Sequence, residues 1–119
     1  MENKEIIEGN KAIEIFVGNE VIKNTVIHKS GQRTHISESN YHKDWNILIG
    51  VVEKIESLDF SFPIEEKGCM ICAPYGKHGN EDDDKTGQWV VIDYLEAETK
   101  IQAVFRNIIL FITWYNSNK

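Results

Sequence analysis

The sequence predicts an α+β fold: a small three-stranded antiparallel sheet packed by about three helices, in the order α-α-β-β-β-α, with a long C-terminal helix. Three observations predict it. Apolar residues recur at three- and four-residue steps over three separate stretches, which marks helices with one inward stripe. Between the second and third stretches lie short segments that alternate or run apolar between turn residues, which marks strands. No repeat and no linker divides the 119 residues, and that length suits one domain, so residues 1–119 are read as a single unit.

Residues 2–17 form the first expected helix. Ile6, Ile13, Phe16 and Val17 share a face, and Gly18 is placed to end it. Gly9 lies inside the run and costs about 1 kcal/mol against Ala. Residues 19–40 are the least legible part. Val21, Ile22, Val26 and Ile27 suit a short strand, Ser30-Gly31 marks a turn, and 34–40 reads as polar loop. Residues 41–58 are the second expected helix, with Leu48, Val51, Val52, Ile55 and Leu58 as its stripe and Trp45 extending it by a turn. Asn40 suits its N-cap, with Asp44 in the first turn. Gly50 suggests the close approach of a neighbouring element.

The expected sheet spans residues 60–95. Phe60, Phe62 and Ile64 alternate with Ser61 and Pro63, and Pro63 points to an edge or a strand end. Glu65-Glu66-Lys67-Gly68 reads as a hairpin turn, and Cys69 to Ala73 as the returning strand. Gln88-Trp89-Val90-Val91-Ile92-Asp93-Tyr94-Leu95, apolar almost throughout, suits a covered or central strand. Residues 74–86 form a polar loop with an acidic run. The closing helix is read over 96–116, with Glu96 and Glu98 in its first turn. Ile101, Val104, Phe105, Ile108, Ile112 and Tyr115 make its stripe. Ile109, Leu110, Phe111 and Trp114 leave that stripe, so residues 108–115 are apolar nearly all round. Such a helix is covered on more than one side, by this chain or by another copy. Ile109, Leu110, Phe111 and Trp114 are therefore the expected oligomer interface.

Bulk composition narrows the functional classes. At 41% hydrophobic and 27% charged the chain is globular rather than disordered. A net charge of −6, with Arg33 and Arg106 as the only arginines, argues against a nucleic-acid backbone as partner. No apolar run approaches the ~20 residues of a membrane span. The opening MENKEIIEGNK has no basic region followed by an apolar core. A cytoplasmic protein with reduced thiols is the expectation.

No constellation forces a chemistry. Cys69 and Cys72 have the C-x-x-C spacing, but zinc needs that spacing on a turn with a second ligand pair; on a strand the thiols fall on opposite faces, ~10 Å apart at Cα. His28, His35 and His42 are seven apart, but Gly31 and its polar neighbours break any helix that would align them. The Glu81-Asp82-Asp83-Asp84 run lacks the alternation of a calcium loop. Pro74-Tyr75-Gly76-Lys77-His78-Gly79 is a glycine-bearing turn that can offer N–H groups to an anion, but no helix follows it. No catalytic residue, metal site or cofactor is assigned. The aromatic and basic residues outside the core stripes, Arg33, Tyr41, His42, Trp45, Tyr75, Lys77 and His78, are the candidate ligand-binding set.

Three segments carry a resemblance. GNKAIEIFVG (9–18), YHKDWNILIGVVEKIE (41–56) and IQAVFRNIILFITWYN (101–116) resemble small uncharacterised proteins carried by phages and prophages. Those share a first helix of the NKLIAEFMG type, a Y-H-x-x-W-[DN] helix running into VVEKIE, and a last helix ending in F-x-x-W-Y-N. The arrangement is also similar to the phage ABA sandwich domain, in which helices cover a small antiparallel sheet. This chain departs from the pattern at Gly50, where the relatives usually carry Pro. The resemblance implies a fold and a phage-related origin, with the host cytosol as compartment, and transfers no catalytic residue. The resulting expectation is a non-enzymatic, phage-related accessory binding protein, a homo-oligomer that sequesters a small host signal of nucleotide type. The alternatives are an inhibitor that meets a basic host protein through residues 81–84, and a small metal-dependent hydrolase.

Overall fold

The computed structural model describes residues 1–65, 68–74 and 89–118. The order of elements is α1 (Asn3–Phe16), β1 (Glu20–Ile22), β2 (Thr25–Ile27), β3 (Arg33–His35), a 3-10 turn (Ile36–Glu38), α2 (Trp45–Ser57), β4 (Gly68–Pro74), β5 (Trp89–Glu96) and α3 (Lys100–Asn118). The class is α+β, with three helices, a three-stranded antiparallel sheet and a long C-terminal helix among the described residues. No helix among them is long and apolar enough to cross a membrane.

The three-stranded sheet is built from β1, β2 and β3, between α1 and α2 rather than after α2. Each of these strands is three residues long. Ile22 faces Thr25 across a two-residue turn in which Lys23 adopts a φ of 54°. Gly31 makes the second turn at φ 92°, where glycine carries no Cβ penalty. Val26, at the centre, is fully buried. Of the three-strand meander expected over 60–95, two strands form, β4 and β5, while the first expected strand, over 60–64, does not. β5 pairs along one edge of β4 in antiparallel register, Gly68 against Glu96 through Pro74 against Trp89. Ser61 and Ile64 meet the other edge through isolated bridges to Cys72 and Cys69. Pro63 lies between those bridges and lacks the N–H that a continuous ladder needs.

The helix stripes pack as their spacing predicts. Leu48, Val51, Val52 and Ile55 of α2 join Val104, Phe105, Ile108 and Ile112 of α3, with Ile13, Phe60, Phe62, Cys69 and Ile71, in one buried cluster. Phe60 stands edge-on to Phe111, ring centroids 4.8 Å apart, and Phe16 approaches the same ring at 6.2 Å.

Several boundaries differ from expectation. α2 begins at Trp45 and not at Tyr41, because Asp44 and not Asn40 caps it: Asp44 Oδ1 accepts from Asn46 N–H at 2.9 Å. Trp45 therefore stands at the helix start, partly exposed. α3 begins at Lys100, because Glu96 is spent on β5. Thr99 Oγ1 accepts from Gln102 N–H at 3.3 Å and serves that helix start. Gly50 is exposed with nothing within 4 Å of a Cβ built there, so no element approaches it. The close approach occurs at Gly9. A Cβ there would overlap Ile109 Cδ1 and lie 2.6 Å from Phe105 Cζ. Gly18 ends α1 as predicted, at φ 103°.

Candidate functional site

Two groups of described side chains flank α1, a polar knot and a groove. The inner flank carries a polar knot. Asn10 and Glu14 are one helical turn apart and both buried. Glu14 Oε2 accepts from Ser39 Oγ at 2.6 Å, and Oε1 accepts from Asn19 Nδ2 at 2.9 Å and from Tyr41 OH at 3.3 Å. A buried carboxylate is tolerable only with such donors around it. Asn10 Nδ2 lies 3.1 Å from His42 Nδ1, and the His42 ring stands edge-on to Phe105 at 6.0 Å. Tyr41 and His42 are thereby drawn onto α1, which explains why the second helix starts after them.

This geometry sets the titration of both residues. Burial, then the charge and hydrogen bond of Glu14, push the Tyr41 phenol up to about 12. Burial, then Lys43, push His42 below the usual histidine range. Near neutral pH both side chains are uncharged and occupied by their neighbours, so they hold the 36–44 segment against α1. Asn10 Oδ1 and Asn107 Oδ1 are buried with no hydrogen-bond partner among the described residues.

The outer flank is a groove between α1 and α3. The two helices run side by side. The Arg106 guanidinium closes one end with a forked pair to Glu5, at 2.8 and 3.1 Å. The hydrogen bond to Glu5 holds the Arg106 pKa above its ordinary value. From there the groove passes over Gly9, Ala12, Ile109, Leu110 and Thr113, a hollow of about 450 Å³. It continues past Ala12 and Thr113 into a second hollow of about 470 Å³ beside Phe16, Lys54, Leu58 and Tyr115. Lys54 Nζ lies over the Phe16 ring at 5.5 Å from its centroid. Leu110 is 43% exposed and Ile15 57% exposed. Ala12 adds little to the floor, and α3 closes onto Gly9, where a Cβ would meet Ile109 and Phe105.

The expected interface residues divide between these environments. Ile109 and Leu110 line the groove. Phe111 is fully buried in this chain's own core. Trp114 is half-buried, 6.0 Å from Phe60. Of the expected ligand-binding residues, Tyr41 and His42 lie in the knot. Trp45 sits at the start of α2, and Arg33 is exposed on β3. Tyr75, Lys77 and His78 lie outside the described residues, as does the acidic run 81–84.

The histidines expected to stay apart do so. His28 Nε2 lies 2.8 Å from Thr34 Oγ1, and His35 caps the 3-10 turn with Glu38 as its capping-box partner. A register shift between Ile71 and Cys72 resets the strand alternation, so Cys69, Ile71 and Cys72 are all buried, against the opposite faces expected for the two cysteines. Cys69 Sγ donates to Ala103 O at 3.3 Å, and burial raises the Cys72 thiol. No set of three His, Cys, Asp or Glu that could hold a metal occurs among the described residues.

Sequence reasoning missed Asn10, Glu14 and Ser39, because hydrogen bonds 25 to 32 residues apart along the chain leave no periodic trace. It also missed the α1 half of the groove. There the signal was the small pair Gly9 and Ala12, set three apart on one helix face. No family model, no curated protein and no solved structure matches this chain.

Proposed function

We propose that this chain is a non-enzymatic binding protein that works through the groove between α1 and α3, and that its cargo is a small host signal of nucleotide type. The observation that carries the reading is the hollow beside Phe16, Lys54 and Tyr115. It combines what a nucleotide requires: aromatic edges for a base, an ammonium for a phosphate, and the Thr113 hydroxyl and Asn116 amide for a sugar or base edge. The likeness of the three helices to phage and prophage proteins supplies the setting, an accessory factor in the cytosol of an infected host. The Glu14 knot has a supporting role, holding α1 rigid so that the groove keeps its shape.

The test is native mass spectrometry of protein purified without denaturation, followed by thermal shift with a panel of mono-, di- and cyclic nucleotides. The expected result is retained mass, and a nucleotide that stabilises by about 2.7 kcal/mol at 100 times its Kd. Lys54→Glu should remove that stabilisation. A wild-type protein that carries no extra mass and responds to no nucleotide would sink the reading.

A further inference from the structure

Resting on that reading, we propose that the cargo carries a second phosphate, at the opposite end of its sugar, and that a hollow between α1 and the β1–β2 turn seats it. A nucleoside 3′,5′-bisphosphate is the simplest molecule of that class. Three observations converge there. The first is continuity. Ala12 and Ile15 line the hollow beside Phe16, Lys54 and Tyr115, and they also line a neighbouring hollow of about 430 Å³. Ile15 is exposed and belongs to both, so one ligand can lie across it with an end in each.

The second observation is charge. Glu8, Lys11 and Ile15 stand at three- and four-residue steps on α1 and so share one face of the neighbouring hollow. Lys23 reaches the same hollow from the turn that joins β1 to β2. Two ammonium groups thus line it with one carboxylate, on a chain whose net charge is −6. Glu8 meets Lys11 at 3.9 Å, too long for a hydrogen bond, and the Glu8 side chain is 64% exposed. Other acids of this region face elsewhere. Glu5 and Glu98 lie beside Arg106, and Glu20 stands on the opposite face of β1 from Val21, which lines the hollow. An anion between Lys11 and Lys23 therefore meets an excess of positive charge.

The third is the backbone at Lys23. The two-residue turn Lys23-Asn24 holds Lys23 at φ 54°. In that left-handed region a Cβ carries a steric penalty that glycine escapes, and hairpin turns with a positive φ at the first place favour glycine or asparagine there. A lysine kept in a conformation that suits glycine points to a use for its ammonium. The two hollows also divide the work. Phe16 and Tyr115 offer a base its apolar surface, whereas the hollow at Lys11 and Lys23 has no aromatic side chain among its described lining residues and suits a phosphate alone. Lys11 lies five residues before Phe16 on α1, about 7.5 Å along the axis, a step that a single nucleotide spans.

The experiment is calorimetric titration of the full chain with each nucleoside 5′-monophosphate and with its 3′,5′-bisphosphate, beside an amide NMR titration with inorganic phosphate. For the base that binds best, the bisphosphate should bind at least about 10-fold tighter than the monophosphate. Lys11→Gln and Lys23→Gln should each remove most of that gain. Lys4→Gln, the same loss of charge on α1 at a residue that lines none of the three hollows, should leave it intact. Inorganic phosphate should shift the amides of Lys11, Val21 and Lys23. A bisphosphate that binds no tighter than its monophosphate overturns the proposal. So does a gain that survives both substitutions, or one lost equally in Lys4→Gln. The two readings fail separately. Nucleotides that bind without any gain from the second phosphate leave the proposed function standing and remove this seat. A chain that binds no nucleotide, yet shows the phosphate shifts at Lys11, Val21 and Lys23, keeps the anion seat and loses the nucleotide.

Discussion

Gly9→Ala and Gly50→Ala are the same chemical change, each in the middle of a helix, and they should move stability in opposite directions. In an exposed helix, Ala for Gly contributes about 0.5–1 kcal/mol, because the unfolded chain loses freedom and the helix gains a good former. Gly50 is such a site: it is exposed and nothing lies within 4 Å of an added Cβ. Gly50→Ala should stabilise by about that amount and raise Tm by about 3 °C. At Gly9 the same methyl overlaps Ile109 Cδ1 and lies 2.6 and 2.9 Å from two carbons of the Phe105 ring. Phe105 is fully buried, so its ring has no free space to move into, while the half-buried Ile109 can swing outward. Overpacking of this kind costs about 1–3 kcal/mol. Net of the helix gain, Gly9→Ala should destabilise by about 1 kcal/mol, leaving the two variants about 2 kcal/mol apart. Urea denaturation at constant m-value reads the difference directly. If Gly9→Ala gains as much as Gly50→Ala, α1 does not lie this close to α3, and the floor of the groove is wrongly placed.

Other predictions concern the polar knot. Glu14→Leu keeps the volume but removes the acceptor for Ser39, Tyr41 and Asn19. With Ser39 left buried and unpaired, it should cost about 3 kcal/mol, seen as a Tm lowered by about 10 °C; a loss below about 1 kcal/mol would show the knot to be ornamental. Tyr41, pushed up to about 12 by burial and Glu14, should appear in an absorbance titration near 295 nm only well above the ordinary tyrosine value of about 10. Its raised folded value means that its contribution to stability is complete below about 10 and lost as pH rises through about 12. His42 has the opposite sense. Its folded pKa is lowered, so the unfolded chain takes up the proton first. Its contribution is complete above about 6.5 and lost as pH falls through the folded value. Wild type should therefore lose more stability than His42→Gln between about pH 7.5 and about pH 5, and equal losses would refute the assignment.

The parts of the fold legible in the sequence are those that periodicity can encode. Leu48 to Ile55 and Val104 to Ile112 bury along the stripes their spacing marks, and Phe60 and Phe62 alternate inward. β1, β2 and β3 were illegible as a sheet, because three residues per strand are too few to show alternation and Lys23-Asn24 is not a recognisable glycine turn. The start of α2 was misplaced by a contest between two good caps. Asn40 and Asp44 have similar intrinsic merit, and the choice falls to Asp44 because Tyr41 and His42 are held on Glu14 and Asn10. For α3 the sequence did contain the answer: Thr99 and Gln102 have the spacing of a capping box, whereas Glu96 and Glu98 carry only the weaker dipole signal. The two mid-helix glycines cannot be ranked from sequence, since a close neighbour is a property of the partner helix.

The apolar girth of α3 shows how a correct local inference can divide in three dimensions. A helix apolar all round needs a second cover, and the chain itself supplies much of it. Phe60, Phe16 and Tyr115 surround Phe111, and Phe60 also meets Trp114. What remains uncovered is narrower than the four residues the sequence marked: Leu110 and the rim of Ile109, beside Gly9 and Ala12 of α1. A residue as open as Leu110 is unremarkable alone, since single exposed apolar side chains are normal on protein surfaces. Here it stands beside a hollow of about 450 Å³ that Gly9, Ala12 and Thr113 also line. Gly9 does not keep this hollow open, because the space a side chain would take there is filled by Ile109 and the Phe105 ring. The cost of about 1 kcal/mol for a mid-helix glycine is therefore offset within this chain, by the close packing of α1 on the buried Phe105 of α3.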